Sequence, residues 1–116
     1  MANGSIIELD THRFAVKLLD AQTATSNGAW VEVPARYNIR SFTTSTLEEG
    51  ATDATVDIHV LNDAAKPTDA TAGIVTQTLT TATMGATKTE AYRWVKAVKT
   101  AGTTPVATTV ILEAAR

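Results

Sequence analysis

The sequence predicts an all-β protein: an antiparallel β-sandwich of about seven or eight strands, of the jelly-roll or immunoglobulin-like kind. Three observations predict it. The chain holds 22 Thr, 10 Val and 6 Ile, so 38 of its 116 residues are β-branched, and such side chains suit a pleated surface better than a helix. Short apolar runs alternate with period two and are separated by turn signals, at roughly the 8–12-residue spacing of sandwiches and barrels. No segment carries a sustained helical period, and helix should stay under about 15%. The 20 Ala residues argue weakly the other way.

The elements follow in order. Residues 1–12 form an N-terminal arm or an edge strand, with Ile6, Ile7 and Leu9 as its apolar patch. Docking would explain such a patch at a chain end, either on a neighbouring subunit or on the chain's own sheet. Residues 13–116 form a single sandwich domain. In 13–21 Phe14, Val16 and Leu18 alternate, and then Leu19 breaks phase. Ser26-Asn27-Gly28 reads as a turn. Trp30 to Val33 is a strand ended by Pro34. In the next strand, from Arg36, Tyr37 and Ile39 share a phase while Phe42 takes the opposite one. Either a bulge shifts the register there, or Phe42 lies on an outer face that something covers.

Thr55 to Leu61 is the cleanest strand, with Val56, Ile58 and Val60 inward and Asp57 and His59 outward. Asn62 to Gly73 is a loop, Ile74 to Thr80 a strand, and Thr81 to Thr89 a small polar stretch. Glu90 to Thr100 is a strand with large residues on both faces, and Val106 to Leu112 closes the sandwich. The expected core is Val31, Val33, Tyr37, Ile39, Val56, Ile58, Val60, Val75, Leu79, Val95, Val110 and Leu112.

Composition excludes several function classes. Cysteine is absent, which excludes disulfides, thiolate zinc sites, iron–sulfur clusters and a Cys nucleophile. A net charge of −2 gives no electrostatic case for nucleic acid or an anionic membrane. No apolar run is long enough for a transmembrane helix, and the first ten residues do not read as a signal peptide.

Asp57 and His59 share a strand face, but two ligands do not close a metal site. Glu48, Glu49, Asp53 and Asp57 cluster near one turn without calcium-loop spacing, and ordinary turn composition accounts for them. No Ser sits in a nucleophile elbow and no phosphate loop is present. The expectation is therefore no enzyme, no catalytic residue, no metal and no cofactor.

The segment Ala91-Tyr92-Arg93-Trp94-Val95-Lys96-Ala97-Val98 carries large side chains on both phases. Either long Lys and Arg stems cover apolar neighbours, or a partner subunit finishes one face. Off-phase apolar residues mark Ile6, Ile7, Leu9, Phe42, Leu61, Tyr92, Trp94 and Ile111 as interface candidates.

Four pieces together resemble a family. They are Leu18 to Thr25 (LLDAQTAT), Gly28 to Val33 (GAWVEV), the strand end Val60-Leu61-Asn62-Asp63, and Ala91 to Ala97 (AYRWVKA). Small β-sandwich structural proteins of tailed bacteriophages, of the head decoration or cement type, are similar in this order of strand patterns across about residues 14–113. Lys96 stands where that family often has Arg, at a position that reads as exposed.

The resemblance implies a virion component assembled in the host cytoplasm. It implies a capsid decoration role: binding the major capsid protein or neighbouring virion subunits as a homo-oligomer, with a trimer the first expectation. Tail and head–tail connecting components are an alternative. So is a carbohydrate-binding module of the virion, with Trp30 or Trp94 stacking on a sugar.

Overall fold

The computed structural model describes residues 5–10, 12–23, 25–34, 37–46, 54–80, 86–90 and 92–114. Among the described residues ten strands form: β1 (Ser5–Asp10), β2 (Arg13–Gln22), β3 (Ser26–Asn27), β4 (Val31–Glu32), β5 (Tyr37–Thr46), β6 (Thr55–Leu61), β7 (Ile74–Thr80), β8 (Ala86–Glu90), β9 (Trp94–Ala101) and β10 (Val106–Ala114). One sheet has the order β1-β2-β10-β5-β8, and the other β3-β9-β6-β7 with β4 also paired to β9. Every pairing is antiparallel. The chain changes sheet after β2, β4, β5, β7, β8 and β9, so the fold is the expected β-sandwich.

Two strands were not expected. Ser26–Asn27 reads as a turn but pairs with Val98 and Lys99 of β9. Ala86–Glu90 lies in a stretch that reads as polar loop, yet it pairs with β5. Both lie at sheet edges, where a neighbour's unpaired N–H and C=O groups recruit chain of almost any composition.

The inner faces supply the core: Val16, Leu18 and Leu19 from β2, Ile39 and Phe42 from β5, Val56, Ile58 and Val60 from β6, Leu79 from β7, Val95 and Ala97 from β9, and Val106, Val110 and Leu112 from β10. Nine of the twelve expected core residues are buried, and Val31 and Tyr37 pack against the core while partly exposed.

Three irregularities explain where simple alternation breaks. Thr108 pairs with Leu19 and Thr109 with Lys17, so Leu18 has no partner and both leucines turn inward. Ile111 pairs with Ser41 and Leu112 with Ile39, which leaves Arg40 bulged into solvent. That bulge resets the phase and brings Phe42, 1% exposed, into the core. Phe42 is thus a core residue and not an interface candidate. Between β6 and β7, Ile58 pairs with Gln77 and His59 with Val75, so Thr76 is the extra residue. Val75 is carried outward and is 48% exposed, against expectation.

Two buried threonines resolve their polarity mutually. Thr44 and Thr108 are direct cross-strand partners, and their hydroxyls lie 3.0 Å apart. Each hydroxyl can donate or accept, so the pair meets the requirement that buried polar groups be bonded.

These phase shifts lead to a contrast between two large apolar residues. Phe42→Ala should cost about 3–5 kcal/mol, as buried aromatic truncations do. Val75→Thr should change stability by no more than about 0.5 kcal/mol. Urea unfolding of the two variants measures both.

Candidate functional site

The outer face of the second sheet is where the sequence left most side chains unexplained. Pairing of β6 with β9 sets Asp57, His59 and Leu61 beside Val98, Lys96 and Trp94 on that face. The segment 62–73 folds back over it. Trp94 donates its indole N–H to the Asp63 carbonyl at 2.9 Å, and Trp30 donates its own to the Thr68 carbonyl at 2.9 Å. Lys96 donates to the carbonyls of Asp69 and Thr71, both at 2.7 Å, with its ammonium 4.9 Å from the Trp30 ring centroid. The Gly73 N–H donates to His59 Nδ1 at 3.1 Å. A Cβ on Gly73 would lie 2.7 Å from the Trp30 ring and 2.8 Å from the Val60 carbonyl, so only glycine fits.

Several expectations change as a result. Lys96 reads as exposed but is fully buried. Trp94, an interface candidate, is 7% exposed because the chain's own 62–73 segment covers it. Trp30 is 2% exposed, so neither indole is a platform for a sugar. Lys99 faces inward and is also buried, donating to the carbonyls of Thr23 at 2.6 Å and Thr104 at 2.8 Å.

The electrostatics follow from this covering. Burial pushes the Lys96 ammonium below its ordinary value, while Asp69 opposes the shift. His59 is also pushed down: by burial first, then by the charge of Lys96, with Asp57 pulling the other way. A neutral His59 is what the Gly73 hydrogen bond needs, since Nδ1 can accept only when unprotonated. Asp57 does not turn to His59 as a metal partner would; it accepts from the Thr78 hydroxyl at 2.8 Å. Among the described residues no group of three metal-ligating side chains comes together. Glu48, Glu49 and Asp53 lie outside the described residues.

At one end of the sandwich, three connections meet and leave a cleft of about 420 Å³. Among the described residues it is lined by Glu32, Pro34, Tyr37, Asn62, Tyr92 and Arg93, with Val33 at its floor side. Main-chain bonds stitch the connections together. Val33 N–H donates to the Arg93 carbonyl at 2.8 Å, Tyr37 N–H to the Pro34 carbonyl at 2.9 Å, and Arg93 N–H to Asn62 Oδ1 at 2.9 Å. The Arg93 guanidinium lies 3.3 Å from the Glu32 carboxylate and 5.9 Å from the Trp94 ring centroid. Tyr37 packs edge-on against Phe14, with ring centroids 5.3 Å apart. Sequence reading missed this cleft because its residues come from strand ends, where periodicity carries no information; the Tyr92-Arg93 pair was its only visible signal.

The remaining interface candidates scatter. Ile6, Ile7 and Leu9 sit in β1, whose backbone pairs with the chain's own β2, and their side chains lie outside what is described. Leu61 and Ile111 are half-buried on the outer faces of opposite sheets, and Tyr92 is half-buried at the cleft. Among the described residues the large apolar side chains most open to solvent are instead Ile74, at 64%, and Val75.

Fold and site together define a two-sheet β-sandwich domain with its own loop lying across part of one outer face. No protein-family model and no curated protein matches the chain. Among solved structures it is similar to the crystal structure of the SPBc2 prophage-derived protein YomS, with a TM-score of 0.48 and 11% identity, covering 93% of this chain and 98% of that one.

Burial of His59, with the charge of Lys96 beside it, makes stability depend on pH. His59 is lowered on folding, so its contribution is complete above the ordinary value of 6.5 and is lost as pH falls through the lower folded value. The melting temperature should drop between about pH 7.5 and pH 5. His59→Asn, which keeps an acceptor that cannot titrate in this range, should show a smaller drop in the same thermal melts.

Proposed function

We propose that this chain is a non-enzymatic structural protein of a tailed-bacteriophage particle, a capsid decoration or cement protein that binds the head shell. One observation carries the reading: the four segments that resemble such proteins converge in space. Val31 and Glu32 pair with Val95 and Trp94. Leu61 pairs with Trp94, and Asn62 and Asp63 accept from Arg93 and Trp94. Gly28 is the joint. Its N–H donates to the Ala97 carbonyl at 2.8 Å, and a Cβ there would lie 2.7 Å from that oxygen and 3.0 Å from the Leu18 carbonyl. The likeness therefore belongs to one packed unit, which supports reading it as a shared architecture.

Docking would start from β7. This edge strand, IVTQTLT, has no charged residue and no proline, the usual devices that protect an edge. It carries the exposed Ile74 and Val75. Such an edge can take up a strand or apolar surface of a coat subunit or of a second copy, giving the trimer a three-fold capsid site requires. The tail or head–tail connector is the second reading, because the same edge serves any ordered array.

The chain should be recovered in many copies from purified virions, and a particle map should place it at three-fold or six-fold positions on the head. Location on the tail would select the second reading. Turnover of a substrate by the purified chain, lost on changing one acidic residue, would overturn both. Val75→Lys should weaken particle binding while leaving the melting temperature in place, because Val75 is half exposed. Light scattering and particle sedimentation measure the binding.

A further inference from the structure

We infer that the cleft between Glu32, Tyr37, Asn62 and Arg93 is a binding site for a neutral, hydroxyl-rich ring, a pyranose sugar in chemical class. This goes beyond the structural role above and does not depend on it.

Size is the first argument. About 420 Å³ falls within the range of small-ligand sites, roughly 300–1,000 Å³. Charge is the second. Arg93 and Glu32 lie 3.3 Å apart, each about half exposed, so the cleft has no net charge from this pair. An anion would meet the carboxylate and a cation the guanidinium, which leaves a neutral ligand as the best match.

Hydrogen-bonding character is the third. A sugar hydroxyl both donates and accepts, and it needs both kinds of partner. Arg93 offers donors and Glu32 acceptors in adjacent planar groups. Asn62 accepts from the Arg93 N–H through Oδ1, which aims its NH₂ donors elsewhere. These groups are held before a ligand arrives: the guanidinium lies over Trp94, 5.9 Å from the ring centroid, and Tyr37 is braced by Phe14. The rings of Tyr37 and Tyr92 and the Pro34 side chain provide the apolar wall that the C–H face of a pyranose requires.

The backbone argues against an extended peptide. Strand addition needs unpaired N–H and C=O groups. Here β4 is only two residues long and is followed by Pro34, and the amides of Val33, Tyr37 and Arg93 all donate within the chain. The edge is too short for an added strand, so recognition falls to side chains, and that suits a compact ring.

The test is a titration of the isotopically labelled full chain with methyl glucoside, methyl galactoside and methyl mannoside, with glucuronate and glucosamine as charged controls. At least one neutral glycoside should shift the amides of residues 32, 33, 37, 62, 92 and 93 saturably. Arg93→Met should weaken that binding about tenfold or more, the usual effect of losing hydrogen bonds to a charged group. Glu32→Gln, which keeps the shape, should weaken it less and admit glucuronate better. Both side chains are about half exposed, so both variants should fold, and their amide spectra check this. The inference is overturned if no neutral glycoside shifts these amides at about 50 mM, far above a weak 1 mM affinity. It is equally overturned if only charged sugars bind, if Arg93→Met binds as the parent does, or if an uncharged peptide binds there and the glycosides do not.

Discussion

A buried ammonium ion is among the least tolerable groups in a protein interior unless it is fully bonded. Lys96 is such a group, at the centre of the second sheet on β9. Its partners include two main-chain carbonyls, from Asp69 and Thr71, and the face of Trp30. The consequence is geometric. The 62–73 segment has to lie across the outer face of the sheet to bring those carbonyls within reach. Once it lies there, it also satisfies both indole N–H groups and places Gly73 against His59. The long loop is thus a third layer on the outer face of the second sheet, tied down by these polar contacts.

Lys99 works the same way at the far end of β9, where it faces inward. Its ammonium closes the core by binding the carbonyls of Thr23 and Thr104, two connections that would otherwise splay. A lysine stem is apolar and its head is polar, so one side chain can both fill a core margin and tie down a loop.

The cleft and the open edge of β7 divide the molecule's surface by character. The cleft is built from connections whose amides at Val33, Tyr37 and Arg93 already donate within the chain, so side chains carry its recognition. The β7 edge differs in kind: among the described residues it ends its sheet, and its side chains are uncharged. A sandwich can carry both because the connections and the edges are different parts of the same architecture.

The all-β class, most strand positions and the inward set Val56, Ile58 and Val60 are legible in the chain's own residues, because β-branched composition and period-two alternation are local properties. It also marked 91–98 as a strand loaded on both faces, and the structure explains the load by a loop on one side and the core on the other. Which way Phe42 and Val75 point was decided only in three dimensions. Each sits next to a bulge, and a bulge exists only relative to a partner strand. The burial of Lys96, Trp30 and Trp94 was likewise decided by tertiary structure, since it depends on carbonyls up to 38 residues away in the chain. The cleft was the least legible feature. Glu32, Tyr37, Asn62 and Arg93 come from three separate connections, and only the pairing of β4, β6 and β9 brings them to one end of the sandwich.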